Sequence, residues 1–251
     1  MNIIYLCGGL GNQLFQYAFG RTQRSNKIEV KYYKGWYDTA PKNRSYVLDK
    51  FNTNVRIGEI KRMKIFREPK YDKSLTRLDG YIFQGYWQYF NYFESIMPII
   101  KNEFVVKEQF YTPEFLVLRS EISSCNSVAV HVRRGDYIGN SNWTIQPLEY
   151  YTKALSYLKI CRDIDRVYVF SDDISWCKEN FKDVTFVHLE NYLDFELMKC
   201  CKHFILANST FGFFPALLND NPNKQVYCPE SWLGYKHKDN GNHYPEDWIR
   251  L

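Results

Sequence analysis

The chain has 251 residues, 45% of them hydrophobic and 24% charged, which is globular composition with enough length for a sizeable core in one large or two smaller domains. Its formal net charge of +5 is uneven: residues 1–125 hold 19 Lys+Arg against 12 Asp+Glu, residues 126–251 hold 14 against 16. Seven cysteines without a C-x-x-C spacing speak against a disulfide scaffold or a zinc site and for reduced thiols in a cytosol, and no run of about 20 apolar residues is present to span a membrane.

In chain order, Asn2–Cys7 is a short apolar run ended by Gly8 and Gly9. It lacks the basic flank and the h-region of a signal peptide. A helix is expected from Asn12 to Ser25, with Leu14, Phe15, Ala18 and Phe19 on its apolar face, and a strand over Ile28–Tyr33. This is a βαβ-like opening. Eight bases lie between Arg56 and Arg77, and Ile57, Ile60, Met63 and Phe66 are spaced for one face of a helix. The segment therefore reads as a basic amphipathic helix: a solvated helix with a buried stripe, or one that docks loosely on an anionic membrane surface. Aromatics crowd Tyr81–Phe93, and Tyr92–Phe104 reads as a helix interrupted by Pro98. The aromatic share of 18% suits either a core or stacking surfaces.

From residue 126 the pattern is regular. Strands are expected over Ser127–Val132, Arg166–Phe170, Val184–Leu189, His203–Ala207 and Gln225–Cys228. Helices over Pro147–Cys161, Asp172–Phe181, Leu193–Cys201 and Thr210–Leu218 alternate with them. Apolar strands alternating with helices make a parallel sheet covered on both faces, whose ligands bind beyond the carboxyl ends of the strands.

Three of those ends carry polar groups. After Val128–Val132 comes Arg133-Arg134-Gly135-Asp136-Tyr137. Alternation puts His131 and Arg133 on one face and Arg134 on the other. Arginine suits a diphosphate because its planar fork donates paired hydrogen bonds. Asp136 would hold one guanidinium, with Arg134 bracing the loop or pairing with Asp136; the alternative is a purely structural Arg–Asp pair. After Phe170 comes Ser171-Asp172-Asp173, where a carboxylate could accept from guanine or simply cap a helix. After Ala207 comes Asn208-Ser209-Thr210, an anion-compatible helix start that also has a capping alternative. The turn Gly8-Gly9-Leu10-Gly11-Asn12-Gln13 is only a loose dinucleotide fingerprint and is not a Walker A loop.

Taken together, Gly8-Gly9-Leu10-Gly11-Asn12-Gln13-Leu14-Phe15-Gln16-Tyr17, His131-Val132-Arg133-Arg134-Gly135-Asp136-Tyr137, Ser171-Asp172-Asp173 and Leu206-Ala207-Asn208-Ser209-Thr210-Phe211 resemble family 11 glycosyltransferases, the bacterial α-1,2-fucosyltransferases. Gly85-Tyr86-Trp87-Gln88-Tyr89-Phe90-Asn91-Tyr92-Phe93 also resembles a family segment. The resemblance implies an α/β, GT-B-type fold with two Rossmann-like halves facing across a cleft: 1–125 on the acceptor side and 126–251 binding GDP-fucose. It implies transfer of fucose, with inversion, to the 2-hydroxyl of a galactose-type acceptor on an oligosaccharide or lipid-linked glycan. It places Arg133 on the diphosphate, His131 and Asp172 at the guanosine, Ser209 and Thr210 on phosphate, Gly11 in the donor site and Asn12 near the donor–acceptor junction, with Arg133 and Asn12 in the catalytic set. Arg134 joins the donor-binding set and Asp136 the catalytic one. Phe213 and Phe214 stand where the family often has paired tryptophans.

No metal or other cofactor is expected. Asp163-Ile164-Asp165 has the metal-binding spacing but precedes its strand, so it belongs to the wrong end of the sheet. Asp38 and Asp136 are the carboxylates considered for a catalytic base. The competing readings are a nucleotide-sugar-binding domain without turnover and an RNA-binding module. The second is disfavoured because the bases form no interleaved stripe around a motif, so no nucleic-acid partner is expected. The expected location is cytoplasmic, with peripheral contact at the inner membrane face through Arg56–Arg77.

Overall fold

The computed structural model describes residues 1–60, 62–232 and 243–251. The chain divides into two units, Met1–Glu108 with Asn242–Tyr244, and Gln109–Gly241 with Pro245–Leu251.

The first unit is built from β1 (Asn2–Tyr5), α1 (Leu10–Ser25), β2 (Val30–Tyr33), β3 (Lys64–Arg67), β4 (Tyr81–Gln84) and α2 (Met97–Glu103). Its four strands are all parallel, in the order β2-β1-β4-β3. Helix α1 buries the expected Leu14, Phe15, Ala18 and Phe19, but also Gln13, Gln16 and Gln23. Buried amides need partners, and each has them. Gln13 donates to the Ser45 carbonyl (2.8 Å) and accepts from Val47 N–H (3.0 Å). Gln16 accepts from Cys7 N–H and donates to the Gly85 carbonyl, both at 3.0 Å. Gln23 accepts from Asn2 (3.0 Å) and donates to the Leu75 carbonyl (3.2 Å). The glutamines thus stitch the loops to the helix. The aromatics form a core: Phe19 stacks on Trp87 (4.2 Å between centroids, 11°) and Tyr17 on Tyr32 (5.3 Å, 18°). Pro98 lies in the first turn of α2, where its missing N–H costs nothing.

The segment Arg56–Arg77 is not an amphipathic helix. Ile57 bridges to Tyr32, Lys64–Arg67 is β3, and Lys73–Arg77 is a 3-10 turn. Strand β3 is an edge strand whose Lys64 and Arg67 are exposed. Charged side chains along an edge discourage pairing with another chain, which accounts for part of the basic run. Ile57 and Ile60 are exposed, so the stripe that suggested a helix is not a buried face. Among the described residues no helix is long and apolar enough to cross a membrane.

The second unit contains α3 (Pro113–Ser123), β5 (Ser127–Val132), α4 (Leu148–Cys161), β6 (Arg166–Ser171), α5 (Ile174–Asn180), β7 (Thr185–Val187), α6 (Asn191–Cys200), β8 (His203–Ile205), α7 (Thr210–Leu218), β9 (Val226–Cys228) and β10 (Ile249–Arg250). Helix α3 belongs to this unit, so the division at Glu108 falls earlier than the expected 125. Its six strands are all parallel, ordered β10-β9-β8-β5-β6-β7. Every residue of β5 is buried, including the polar Ser127 and His131, as befits a central strand covered on both faces. From β5 the chain moves outward through β6 to β7, then returns across β5 to β8. The order therefore reverses between β5 and β8, and such a switch point opens a crevice at the carboxyl ends of the two strands.

Candidate active site

The switch point receives the His-x-Arg-Arg-x-Asp segment from β5 and the Asn-Ser-Thr segment from β8. The two are joined directly. Ala207 N–H donates to the His131 carbonyl at 3.0 Å. The Tyr137 hydroxyl donates to the Asn208 carbonyl at 2.9 Å, and the Tyr150 hydroxyl to the Leu206 carbonyl at 2.7 Å.

Arg133 is held from two sides. Its Nη2 donates to Asp136 Oδ1 at 2.5 Å and its Nη1 lies 2.9 Å from Asp172 Oδ2. Its guanidinium also sits 5.5 Å from the Tyr137 ring centroid, and its backbone N–H reaches the Tyr151 hydroxyl. A guanidinium has five N–H donors, so two carboxylate bonds fix its plane and leave three for an anion. Arg134 turns the other way, as alternation requires. Its Nε donates to Asp173 Oδ2 at 3.1 Å and its guanidinium lies 4.1 Å above the Trp176 ring. Asp136 therefore pairs with Arg133, not with Arg134, because the 3-10 turn Gly135–Tyr137 folds the aspartate back toward β5.

Asp172 is engaged within the protein at both oxygens. Oδ1 accepts from Arg134 N–H at 3.0 Å and Oδ2 faces Arg133. Gly135 packs against Oδ2 so closely that a side-chain carbon there would collide with it. Asp172 thus sits as an orienting group for Arg133. The capping role falls to Asp173, which accepts from Trp176 N–H at 3.1 Å. Three carboxylates surround two guanidiniums here, so the cluster aims Arg133 without offering a free positive field. The field comes instead from the start of α7, where Ser209 accepts from Phe211 N–H at 3.3 Å and Thr210 opens the helix.

His131 is 3% exposed, with its ring 5.4 Å from that of Phe211. Burial, and then the Arg133 charge, push its pKa down to about 3, so it is neutral at working pH. Its Nδ1 and the Nδ2 of buried Asn208 have no hydrogen-bond partner. Both atoms lie at the β5–β8 junction and, among the described residues, are two of the few buried polar atoms that lack a partner. Sequence reasoning missed Tyr137, Gln146 and Trp176. Tyr137 and Gln146 fix Asn208 through its carbonyl and, at 3.2 Å, its Oδ1. The aromatic in Arg-Arg-Gly-Asp-Tyr was the available signal. Gln146 carried none.

In the first unit, Asn12 Oδ1 accepts from Gln88 Nε2 at 2.9 Å, and Gly11 is buried inside α1. The turn before α1 is fixed by the Tyr37 hydroxyl, which donates to the Gly8 carbonyl at 3.0 Å. The Asp163–Asp165 pair lies at the amino edge of the second unit's sheet, where Asp165 Oδ2 accepts from Asn126 N–H at 2.7 Å. Phe213 and Phe214 are fully buried, and Phe213 packs on Trp232 and Trp248, so their aromatic rings serve packing.

Two parallel α/β units and an arginine-bearing switch point define a GT-B-class fold. A solved structure described as POFUT1 in complex with GDP shares it, with a TM-score of 0.50 at 12% identity over 90% of this chain and 97% of that one. The chain belongs to glycosyl transferase family 11, whose sequence model matches residues 1–251. It is 30% identical to an Escherichia coli alpha-1,2-colitosyltransferase over 98% of this chain and 97% of that protein. It is 34% identical to human galactoside alpha-(1,2)-fucosyltransferase 1, over 36% of this chain and 28% of that protein. The protein is a glycosyltransferase.

Proposed function

We propose that the protein transfers L-fucose from GDP-fucose to the 2-hydroxyl of a galactose-type residue on a surface glycan, with inversion and without a metal ion. The carrying observation is Arg133, fixed by Asp136 and Asp172 at the β5–β8 switch point beside the start of α7. The diphosphate would lie against the free donors of Arg133 and the N-terminal amides of α7, with Ser209 and Thr210 at its oxygens. As the bond from the anomeric carbon to phosphate breaks, charge gathers on the departing diphosphate. A preorganised guanidinium stabilises that charge more than the ground state. Asn208, with its unpartnered Nδ2, would meet the donor in the same place. His131, neutral and buried, would support the ribose or base end only through contact beneath α7.

The GDP-bearing neighbour and the two α-1,2-transferases favour a guanosine donor and a 1,2 linkage. A colitosyl donor is the second reading, favoured by the colitosyltransferase relative that spans the whole chain. Colitose is fucose without its 3-hydroxyl, so both readings share the donor site described here. What supports metal independence is Arg133 at the switch point, where the diphosphate of this reading would gather charge, while the Asp163–Asp165 pair stands at the opposite edge of the sheet. The test is incubation of GDP-fucose and GDP-colitose with a panel of β-galactosides in excess EDTA, followed by linkage analysis. The expected product is an α-1,2-linked glycoside formed in EDTA. Transfer that requires added Mn²⁺, or that proceeds only from UDP-sugars, overturns the proposal.

A further inference from the structure

We propose that the amino edge of the second unit's sheet carries a second ligand site, separate from the β5–β8 switch point, and that it takes a phosphate monoester of a polyol. The site is a cavity of about 660 Å³. It lies where α3 ends, where α4 runs into β6 and where β8 begins, and its lining includes Ser124, Asn126, Arg162, Asp165, Lys202 and His203. All of these belong to the second unit. Strands β5 and β8 start here and run in parallel to the switch point, so they lie between this cavity and Arg133. Ligands of parallel sheets ordinarily bind beyond the carboxyl ends of the strands. A cavity at the amino ends therefore belongs to a different site, and it does not depend on the transfer reaction proposed above.

The groups left unused in this lining are donors. His203 is 3% exposed, and its Nδ1 accepts from Gln225 N–H at 3.1 Å. That bond fixes the tautomer, with the proton on Nε2. Among the described residues the Nε2–H has no protein partner and is left to donate. Burial, and then the Arg162 charge, lower the His203 pKa, which keeps the ring neutral and in that tautomer. Arg162 uses Nη1 to donate to the Cys161 carbonyl at 2.8 Å, and a guanidinium has further N–H donors to offer. Lys202 donates its backbone N–H to the Ser127 carbonyl at 2.9 Å. Its ammonium has no hydrogen bond or ion pair among the described residues. A single carboxylate accompanies these two cations. Asp165 is tethered there, its Oδ2 accepting from Asn126 N–H at 2.7 Å.

A guanidinium, an ammonium and an imidazole N–H lining one cavity select an oxyanion. A planar fork beside a point charge suits phosphate oxygens. Two cations against one carboxylate leave a positive excess, which favours the nearly doubly charged form that a phosphate monoester takes at neutral pH. The cavity is also larger than the anion alone needs. Ser124, Asn126 and Asn223 line more of it, and hydroxyl and amide groups are partners for the hydroxyls of a polyol. Among the described residues no aliphatic side chain and no Phe, Tyr or Trp lines it. A nucleobase or an acyl chain thus has no surface to pack on, whereas a sugar phosphate is matched at both ends.

The test is calorimetric titration of the whole protein, saturated with GDP, by glucose 6-phosphate, inorganic phosphate and glucose. Glucose 6-phosphate is expected to bind, inorganic phosphate to bind more weakly, and glucose not to bind. Arg162→Ala and Lys202→Ala should each weaken glucose 6-phosphate by about tenfold or more, the effect of losing one charge-assisted hydrogen bond. Arg133→Ala should bind it as wild type does. Absence of glucose 6-phosphate binding at millimolar concentration overturns the proposal. So does wild-type affinity in both cavity variants, or loss of binding in Arg133→Ala, which would put the ligand at the switch point. Inorganic phosphate or glucose binding as tightly as glucose 6-phosphate overturns it too. A second readout needs only the wild type to fold. In nitrogen-labelled histidine NMR, glucose 6-phosphate should shift the His203 Nε2 signal and glucose should not. A His203 signal unmoved by glucose 6-phosphate overturns the proposal.

Discussion

Adjacent arginines with opposite assignments are the sharpest feature at the residue scale. Arg133 and Arg134 differ because a strand points successive side chains to opposite faces. Arg133 meets Asp136 and Asp172 at the switch point, whereas Arg134 meets Asp173 and the Trp176 face. This separation was legible from alternation alone. The partner of Asp136 was not, because it depends on the 3-10 turn Gly135–Tyr137, which no periodicity announces. Arg133→Ala is expected to lower kcat by about 10²–10³-fold, by analogy with removal of a single oxyanion donor, at nearly unchanged melting temperature. Arg133→Lys is expected to be nearly as poor, since an ammonium cannot reproduce the planar fork. Arg134→Ala should instead lower the melting temperature, through loss of the Trp176 contact and the Asp173 pair, and leave most of kcat. Steady-state kinetics beside melting curves check all three. An inactive Arg134→Ala with an active Arg133→Ala would reverse the assignment of the two faces.

At the scale of elements, the second unit was readable because its strands are buried on both sides and its helices are long enough to show their period. Thr210–Leu218 is helical over the expected residues, and β5 spans the expected Ser127–Val132. The first unit was harder. Strand β3 has only four residues, lies at an edge and exposes its bases. The three-residue spacing of Ile57, Ile60, Met63 and Phe66 imitated a helix that the chain does not form. Gln13 and Gln16 belong to the N-terminal motif, yet nothing in the sequence pairs them with Ser45, Val47, Cys7 and Gly85, three of which come from distant loops. Gln16→Ala should therefore destabilise the protein by roughly 1–3 kcal/mol, the range for leaving buried partners unsatisfied, as measured by denaturant unfolding. Helix α6 carries a different signature. Asp194 is buried near its start and accepts from Leu189 N–H at 2.9 Å. Burial pushes its pKa up to about 7, well above the ordinary carboxylate range. The folded state thus holds a proton that the unfolded chain releases. The associated stability is fully present below about pH 4 and is lost as pH rises through about 7. Asp194→Asn keeps the acceptor oxygen and removes the titration. It should raise stability at pH 8, by up to about 4 kcal/mol, and have little effect at pH 4. An equal effect at both pH values would mean that the carboxyl does not titrate as its burial dictates.

At the scale of the whole molecule, each unit has its own parallel sheet and its own buried core. The sequence divided the labour between the halves from the motifs. The second unit's sheet has a strand-order reversal with an arginine and a helix start at the same place, which is the ground for proposing the donor there. In the first unit the strand order is β2-β1-β4-β3, and its carboxyl edge carries the Glu68 carboxylate, the Asn12–Gln88 amide pair and Arg44 beside Gly9. A nucleotide that binds only the folded second unit stabilises it by RT ln(1 + [L]/Kd), about 2.7 kcal/mol at a hundredfold excess over Kd. Local opening is suppressed most where the ligand makes its contacts. Hydrogen exchange with saturating GDP should therefore slow at residues 128–137 and 206–213, around β5 and the start of α7, while β1 and β4 exchange as in the free protein. On the proposed guanosine donor, UDP at the same concentration should give a smaller effect. Arg133→Ala should abolish most of the slowing at 128–137 without changing exchange in the free protein. Slowing centred on residues 8–13 and 85–88 instead would move the donor to the first unit.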